Sequence, residues 1–411
     1  MNYFKKFSIY YFFFLVLFCS LIVLCNWLVN PYNIYKSLPI KQFSQKPVVT
    51  SHLRLAKAMA VEWNKPDVLI LGSSTAETGL NPQFPAWNNS RVYNLGLSGA
   101  NIYEVMRYLQ HAEAVKPVKK VILAVNFFMF NAYVANRDDF DESILKVDAQ
   151  GNNNSLALNN LFTTLLSYDA IKASWETVNS QNKKNAFQSN GQLVLNYREE
   201  QVSQLKGYRN NFLYTESYNK SSLIPLPHEL FDFVNNEKQI NTLQYMQNII
   251  TICEKNNTQL VVVIAPEHIR LLETYKQLGL WKRYEQWQKE LVDIIASHNA
   301  KHPDAPYQLW SFNKINTITT EQLPEKDDIK TTMRWFWDPY HFKNDLGNLI
   351  LETILNNRDE SQASNFSTRL TPNNLSSELQ LNRTDLSHWE KEHQDQVREL
   401  RQNLNAPSKT S

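Results

Sequence analysis

Cysteine is almost missing from this chain, with three in 411 residues. Cys19 and Cys25 fall in an apolar N-terminal run, which leaves Cys253 alone in the remainder. That excludes an intradomain disulfide or a cysteine-based zinc site there, and it leaves the compartment open. Glycine is scarce too, at nine residues, while aromatics reach 12%. Such a composition argues against a fibrous or wholly disordered protein. No sign of charge dominates: 42 Lys and Arg face 40 Asp and Glu, for a net +2. The basic surplus that nucleic-acid binding requires is therefore absent. The length fits one large domain or two modest ones.

Charge is also lacking from residues 7–29, which follow Lys5 and Lys6 and are apolar or aromatic almost throughout. A helical span needs roughly 20 such residues, whereas the core of a signal peptide has about 7–15. No small-x-small cleavage site follows, and Phe18 and Leu24 precede the two cysteines where a lipoprotein site needs a small residue. The run reads as an uncleaved membrane anchor. Residues 1–6 form a short leading segment. Lys5 and Lys6 favour an inside N-terminus, but Lys36, Lys41 and Lys46 beyond the run weaken that count. A catalytic domain facing the cytoplasm stays open as a rival.

Residues 30–64 read as a juxtamembrane connector that passes into a helix, with Leu53, Ala56, Met59 and Ala60 at helical spacing. Val68–Leu71 is a short apolar run between Pro66 and Gly72, the signature of a buried parallel strand. Ser73, Ser74 and Thr75 then stand where a helix over 75–87 would begin. Arg91–Leu95 is a second strand, 101–115 an amphipathic helix and Lys119–Val125 a third strand. From about 131 to 237 the pattern loosens into an insertion that could cover a site, with helical pieces near 156–176. A helix near 238–255 restores regularity. The strand Gln259–Ala265, a helix carrying Trp281, Trp287 and Leu291, the strand Tyr307–Trp310 and a helix near 344–356 complete the pattern. Five parallel strands alternating with helices predict an α/β three-layer sandwich over residues 65–356. Residues 357–411 are polar and read as a C-terminal appendage.

The chemistry enters where strands end, because open α/β sheets hold ligands beyond their carboxyl edges. A serine hydroxyl there becomes a nucleophile only if a base removes its proton. Histidine suits that role, and a carboxylate on its other nitrogen fixes the tautomer. Asp338 and His341 are three apart in Trp337–His341, with Pro339 stiffening the link. An oxyanion hole would need backbone donors, for which Ser74 and Gly99 are candidates. The side chain of Asn101 or Asn126 could add a third.

These blocks resemble the SGNH hydrolases, also called GDSL esterases. The first block of that family is similar to Gly72-Ser73-Ser74, which makes Ser74 the nucleophile. Its next block is similar to Asn94–Gly99 and its fifth to Asp338–His341. The third block departs: the family carries Gly-x-Asn-Asp, and here Asn126–Asn131 reads Asn-Phe-Phe-Met-Phe-Asn, so Asn126 is carried as the candidate donor. The resemblance implies a flavodoxin-like five-stranded sheet, a Ser74–His341–Asp338 triad, and no metal or organic cofactor. With the anchor, the chain resembles the cell-envelope branch, which includes alginate O-acetylation and teichoic acid D-alanyl transfer proteins. That branch implies an acylated polysaccharide or other envelope polymer as substrate, with a membrane-bound acyltransferase as a further candidate partner. It implies an inner-membrane protein whose catalytic domain is periplasmic or extracellular. Hydrolysis and transfer both stay open, as does a catalytically silent domain that binds polysaccharide or scaffolds an assembly.

Three other features have plainer readings. His268, at the end of the fourth strand, could line the site, but its plainer reading is part of a surface turn. His298 and His302 have the i, i+4 spacing of a helical metal chelate, but Pro303 favours a frayed, solvated helix end. Trp335, Phe336 and Trp337 either stack on sugar rings or pack the loop against the core.

Overall fold

The structure, a computed structural model, describes residues 2–36, 38, 40–154, 164–356 and 366–405. In chain order its first half runs α1 (Asn2–Val29), α2 (Leu53–Asn64), β1 (Val68–Gly72), α3 (Ser74–Gly79), β2 (Val92–Gly96), α4 (Ile102–Val115) and β3 (Lys120–Val125). The insertion supplies α5 (Tyr168–Asn179), α6 (Leu195–Gln204), α7 (Tyr208–Ser217), α8 (Asn219–Leu223) and the hairpin β4 (Val234–Asn235) and β5 (Ile240–Asn241). Then come α9 (Thr242–Lys255), β6 (Gln259–Ile264), α10 (Ile269–Gln277), α11 (Trp281–Lys301), β7 (Gln308–Ser311) and α12 (Asn344–Leu355). The last elements are β8 (Thr368–Arg369), α13 (Leu375–Glu392) and α14 (Gln394–Asn405).

Two compact units share the chain. Residues 1–65, 110–116 and 138–188 form one, and residues 66–109, 117–137 and 189–411 form the other. The first unit contains α1, whose stretch Tyr3–Val29 is long and apolar enough to cross a membrane. Most of its large side chains are exposed, as those of a span are, but Asn26 and Val29 at its end are buried. The expected helical piece near 156–176 appears as α5. Its part over 155–163 lies outside the described residues.

The second unit is a mixed α/β fold around a mainly parallel six-stranded sheet, in the order β2-β1-β3-β6-β7-β8. Every expected strand is present. The count is six and not five because β8, from the segment read as an appendage, adds antiparallel to β7 through Trp310↔Arg369. That segment is not loosely appended. Leu386, Trp389, Leu400 and Leu404 are buried, and Glu399 of α14 pairs with Arg270 of α10 at 3.2 Å. Widely spaced apolar residues among many charges hid this second core in the sequence. Residues 357–365 and 406–411 lie outside the described residues.

The central strands are apolar at successive positions because both faces are covered. Leu69, Ile70, Leu71, Val121, Ile122 and Leu123 are all fully buried. On one face Ile70, Ile122, Val261 and Val263 meet Leu346, Ile350 and Leu351 of α12. Strand order reverses at β1, whose neighbours β2 and β3 lie on opposite sides. Open α/β sheets bind their ligands beside such a reversal, along the carboxyl edge of the sheet.

Candidate active site

Ser74 stands at that edge, as the first residue of α3. Gly72 ends β1 with φ +147°, and a Cβ there would lie 2.4 Å from the Ala124 carbonyl oxygen. Only glycine allows this sharp exit from the strand. Ser73 caps the helix, its hydroxyl accepting from the Thr75 amide. The expected helix over 75–87 is shorter, closing at Gly79. Asn94 of β2 holds it from the side by donating to the carbonyls of Ala76 and Leu80, at 2.9 Å each.

His341 and Asp338 arrive on the loop before α12. Asp338 Oδ1 accepts from the backbone amides of Tyr340 and His341 at 2.9 and 3.0 Å, so the carboxylate shapes its own loop. A backbone bridge between Phe336 and Phe342 closes the loop. His341 Nδ1 lies 2.7 Å from Asp338 Oδ2, and His341 Nε2 lies 2.8 Å from Ser74 Oγ. With Nδ1 donating to the carboxylate, Nε2 is left as the acceptor of the Ser74 proton. Asp338 is 1% exposed, while the His341 side chain keeps 14%. The solvent access of the pair is thus through the histidine and not the carboxylate.

Electrostatics suit a base at neutral pH. Burial pushes the Asp338 carboxyl up, but the charge and hydrogen bond of His341, then Arg198 and the Tyr340 amide, outweigh it and hold it below the usual range. Burial lowers the His341 pKa, joined by the Arg198 charge and opposed by Asp338, and the result lies below the ordinary value. The imidazole is therefore neutral and able to accept a proton at pH 7. Arg198, on α6, lies 3.9 Å from Asp338 Oδ2 and donates to Thr78 at 3.3 Å. Sequence reasoning missed it, because the insertion carries no periodic pattern that would point α6 at the site. Asn94 left a faint trace, as the one polar side chain within its strand.

The candidate oxyanion donors divide. As the first helical residue, Ser74 has an amide with no acceptor inside its helix. Gly72 pairs with Gly96 across β1 and β2, so the Ser74 turn and the Gly99 turn leave the same rim. Gly99 is half-buried with φ +65°. Asn126 faces inward. It is 1% exposed, its Oδ1 accepts from Thr75 at 2.7 Å, and its Nδ2 donates to Glu267 at 3.0 Å. Buried Glu267, its pKa pushed up to about 7 by burial, turns this amide inward. The Asn101 side chain is engaged as well, accepting from the Glu104 amide and donating to Asn136. Beside it a cleft of about 290 Å³ is lined by Asn101, Tyr103, Tyr133, Lys238 and Tyr245.

Two of the plainer readings need correction. His268 is not in a surface turn. It is 1% exposed, caps α10 and reaches the Glu321 carbonyl oxygen at 2.8 Å, and burial drives its pKa down to about 3. The end of α11 is not frayed either, since His298 is buried and stacked on Tyr307. His302 Nε2 contacts Glu254 at 2.8 Å, and the three side chains could offer metal ligands. The rings of His298 and His302 lie face to face at 4.7 Å, however, which sets their lone pairs side by side and not converging. Phe336 and Trp337 are buried, so they pack the loop, while Trp335 is half-buried under Arg334.

Compared with known proteins, the chain matches no family model, and no curated protein matches it at a significant level.

Proposed function

We propose that the protein is a membrane-anchored serine acyl esterase or O-acyltransferase of the SGNH type, acting on an acylated polysaccharide or related polymer of the cell envelope. The observation that carries this reading is the continuous relay from Ser74 through His341 to Asp338 at the switch point of the sheet. The order of the five parallel strands, that of open doubly wound sheets, agrees with it.

Ser74 Oγ attacks the acyl carbonyl carbon and gives its proton to His341 Nε2. The imidazolium, held by Asp338, returns that proton to the departing alcohol oxygen as the ester bond breaks. The acyl group then sits on Ser74. Water or a sugar hydroxyl attacks it, loses its proton to His341, and Ser74 leaves with the proton restored. In this reading the amides of Ser74 and Gly99 donate to the oxygen that becomes negative in both steps. The tyrosines and amides of the neighbouring cleft suit a sugar ring. In this reading the span lies in the inner membrane, the catalytic unit is periplasmic or extracellular, and a membrane-bound acyltransferase is a candidate donor of the acyl group.

In the full-length chain, Ser74→Ala and His341→Ala should each lower kcat/KM on an activated acetyl ester by ~10⁴-fold or more, with the circular dichroism unchanged. Equal turnover by the Ser74→Ala protein would refute the assignment.

One observation favours a second reading. Asn126 is turned inward to Glu267, which leaves only backbone amides among the candidate oxyanion donors named above. A catalytically silent domain that binds polysaccharide or scaffolds an envelope assembly fits that feature, and it would bind polymer without cleaving any ester.

A further inference from the structure

The first unit carries an apolar stripe that no other described residue buries. On α5, Tyr168, Ile171, Trp175 and Val178 are spaced by three, four and three residues, which sets them on one side of the helix. Tyr168 is 71% exposed and Trp175 is 74%, with Ile171 and Val178 at 40% and 44%. A helix in water does not ordinarily hold four large apolar side chains out in one row. The opposite face is small and polar: Ala170, Ala173, Ser174 and Thr177 are buried. Asp169, Lys172 and Glu176 form a charged flank, and the Lys172 ammonium lies 5.3 Å over the Tyr168 ring.

The place of α5 says what the stripe meets. Asn26, at the buried end of α1, donates to the Leu165 carbonyl oxygen at 2.7 Å, just ahead of α5. The Ser174 hydroxyl donates to Asn26 Oδ1 at 2.7 Å. The helix is thus tied to the last turn of the long apolar helix, where Trp27 stacks on Tyr35 with ring centroids 6.1 Å apart. Tryptophan and tyrosine gather where a span leaves the hydrocarbon, and lysine reaches from there toward lipid phosphates.

We propose that α5 is a membrane-surface helix, its Tyr168–Ile171–Trp175–Val178 stripe seated in the headgroup–acyl boundary of the bilayer that α1 enters. This rests on reading α1 as a span. The first unit then meets the lipid at two places, which removes the free rotation that a single anchor would leave.

The test uses the full-length chain in phosphatidylcholine vesicles, with and without lipid brominated near the headgroup end of its acyl chains. Bromine quenches tryptophan on contact. The signals of Trp175 and Trp27 are isolated from the ten tryptophans as differences against Trp175→Phe and Trp27→Phe. Both side chains are partly or largely exposed, so neither change disturbs a core. The expected result is that both difference signals lose most of their intensity in brominated vesicles. Quenching of Trp27 with none of Trp175 would overturn the surface helix while leaving the span in place, and would turn the stripe toward a protein partner. Quenching of neither would overturn the span and the surface helix together.

Discussion

At the scale of single residues, the site depends on how charges are balanced around one buried carboxylate. Arg198 lies within 4 Å of Asp338 and adds to the burial that keeps the His341 imidazole neutral. Because a positive neighbour disfavours the imidazolium, removing it must raise the His341 pKa. The proposed acyl chemistry needs the neutral imidazole, so the acid limb of kcat/KM should have its midpoint below the ordinary histidine value of about 6.5. In Arg198→Gln that midpoint should move to higher pH. A pH–rate profile that is unchanged by the substitution would separate Arg198 from the relay. Ser74, Asp338 and His341 were all legible in the sequence, since each lies at a strand end or three residues from its partner. Arg198 and Glu267 were not. Their roles come from contacts between segments more than a hundred residues apart, and no spacing records such contacts.

At the scale of elements, the serine and the histidine are brought together by two helices that touch. Gly347 of α12 lies so close to α3 that a Cβ on it would stand 1.8 Å from the Gly79 carbonyl oxygen. Phe342, the residue after His341, fills the space beside Gly79. The Ser74 helix and the histidine loop thus share one seam, and Lys343 of that loop lies over Tyr208 and Trp337 beneath it. Gly347→Ala should force the two helices apart, costing about 1–3 kcal/mol of stability as overpacking does. The widened seam should lengthen the Ser74–His341 contact and lower kcat/KM while KM stays near its original value. Urea unfolding with steady-state kinetics on the same protein checks both. The strands were readable from their short apolar runs and flanking breakers. The expected extent of α3 is too long, although Gly79 followed by Asn81, Pro82 and Pro85 carries the breakers that end it.

At the scale of the whole molecule, the chain holds an apolar helix and a mixed α/β unit whose sheet ends in a strand from the C-terminal region. That region reads as detachable in sequence, yet α14 supplies Glu399 to the buried pair of Arg270 and Glu216. The activity tests therefore call for the full chain and not a shortened one. Everything proposed about acyl chemistry depends on Ser74 being a nucleophile in the resting protein. The direct measurement is covalent labelling of the full-length protein by a fluorophosphonate, followed by mass analysis of its peptides. The account predicts one adduct, on the peptide containing Ser74, formed in the native protein and lost in His341→Ala. A native protein that stays unlabelled, or one labelled equally without His341, would contradict it and leave the silent binding domain as the better reading.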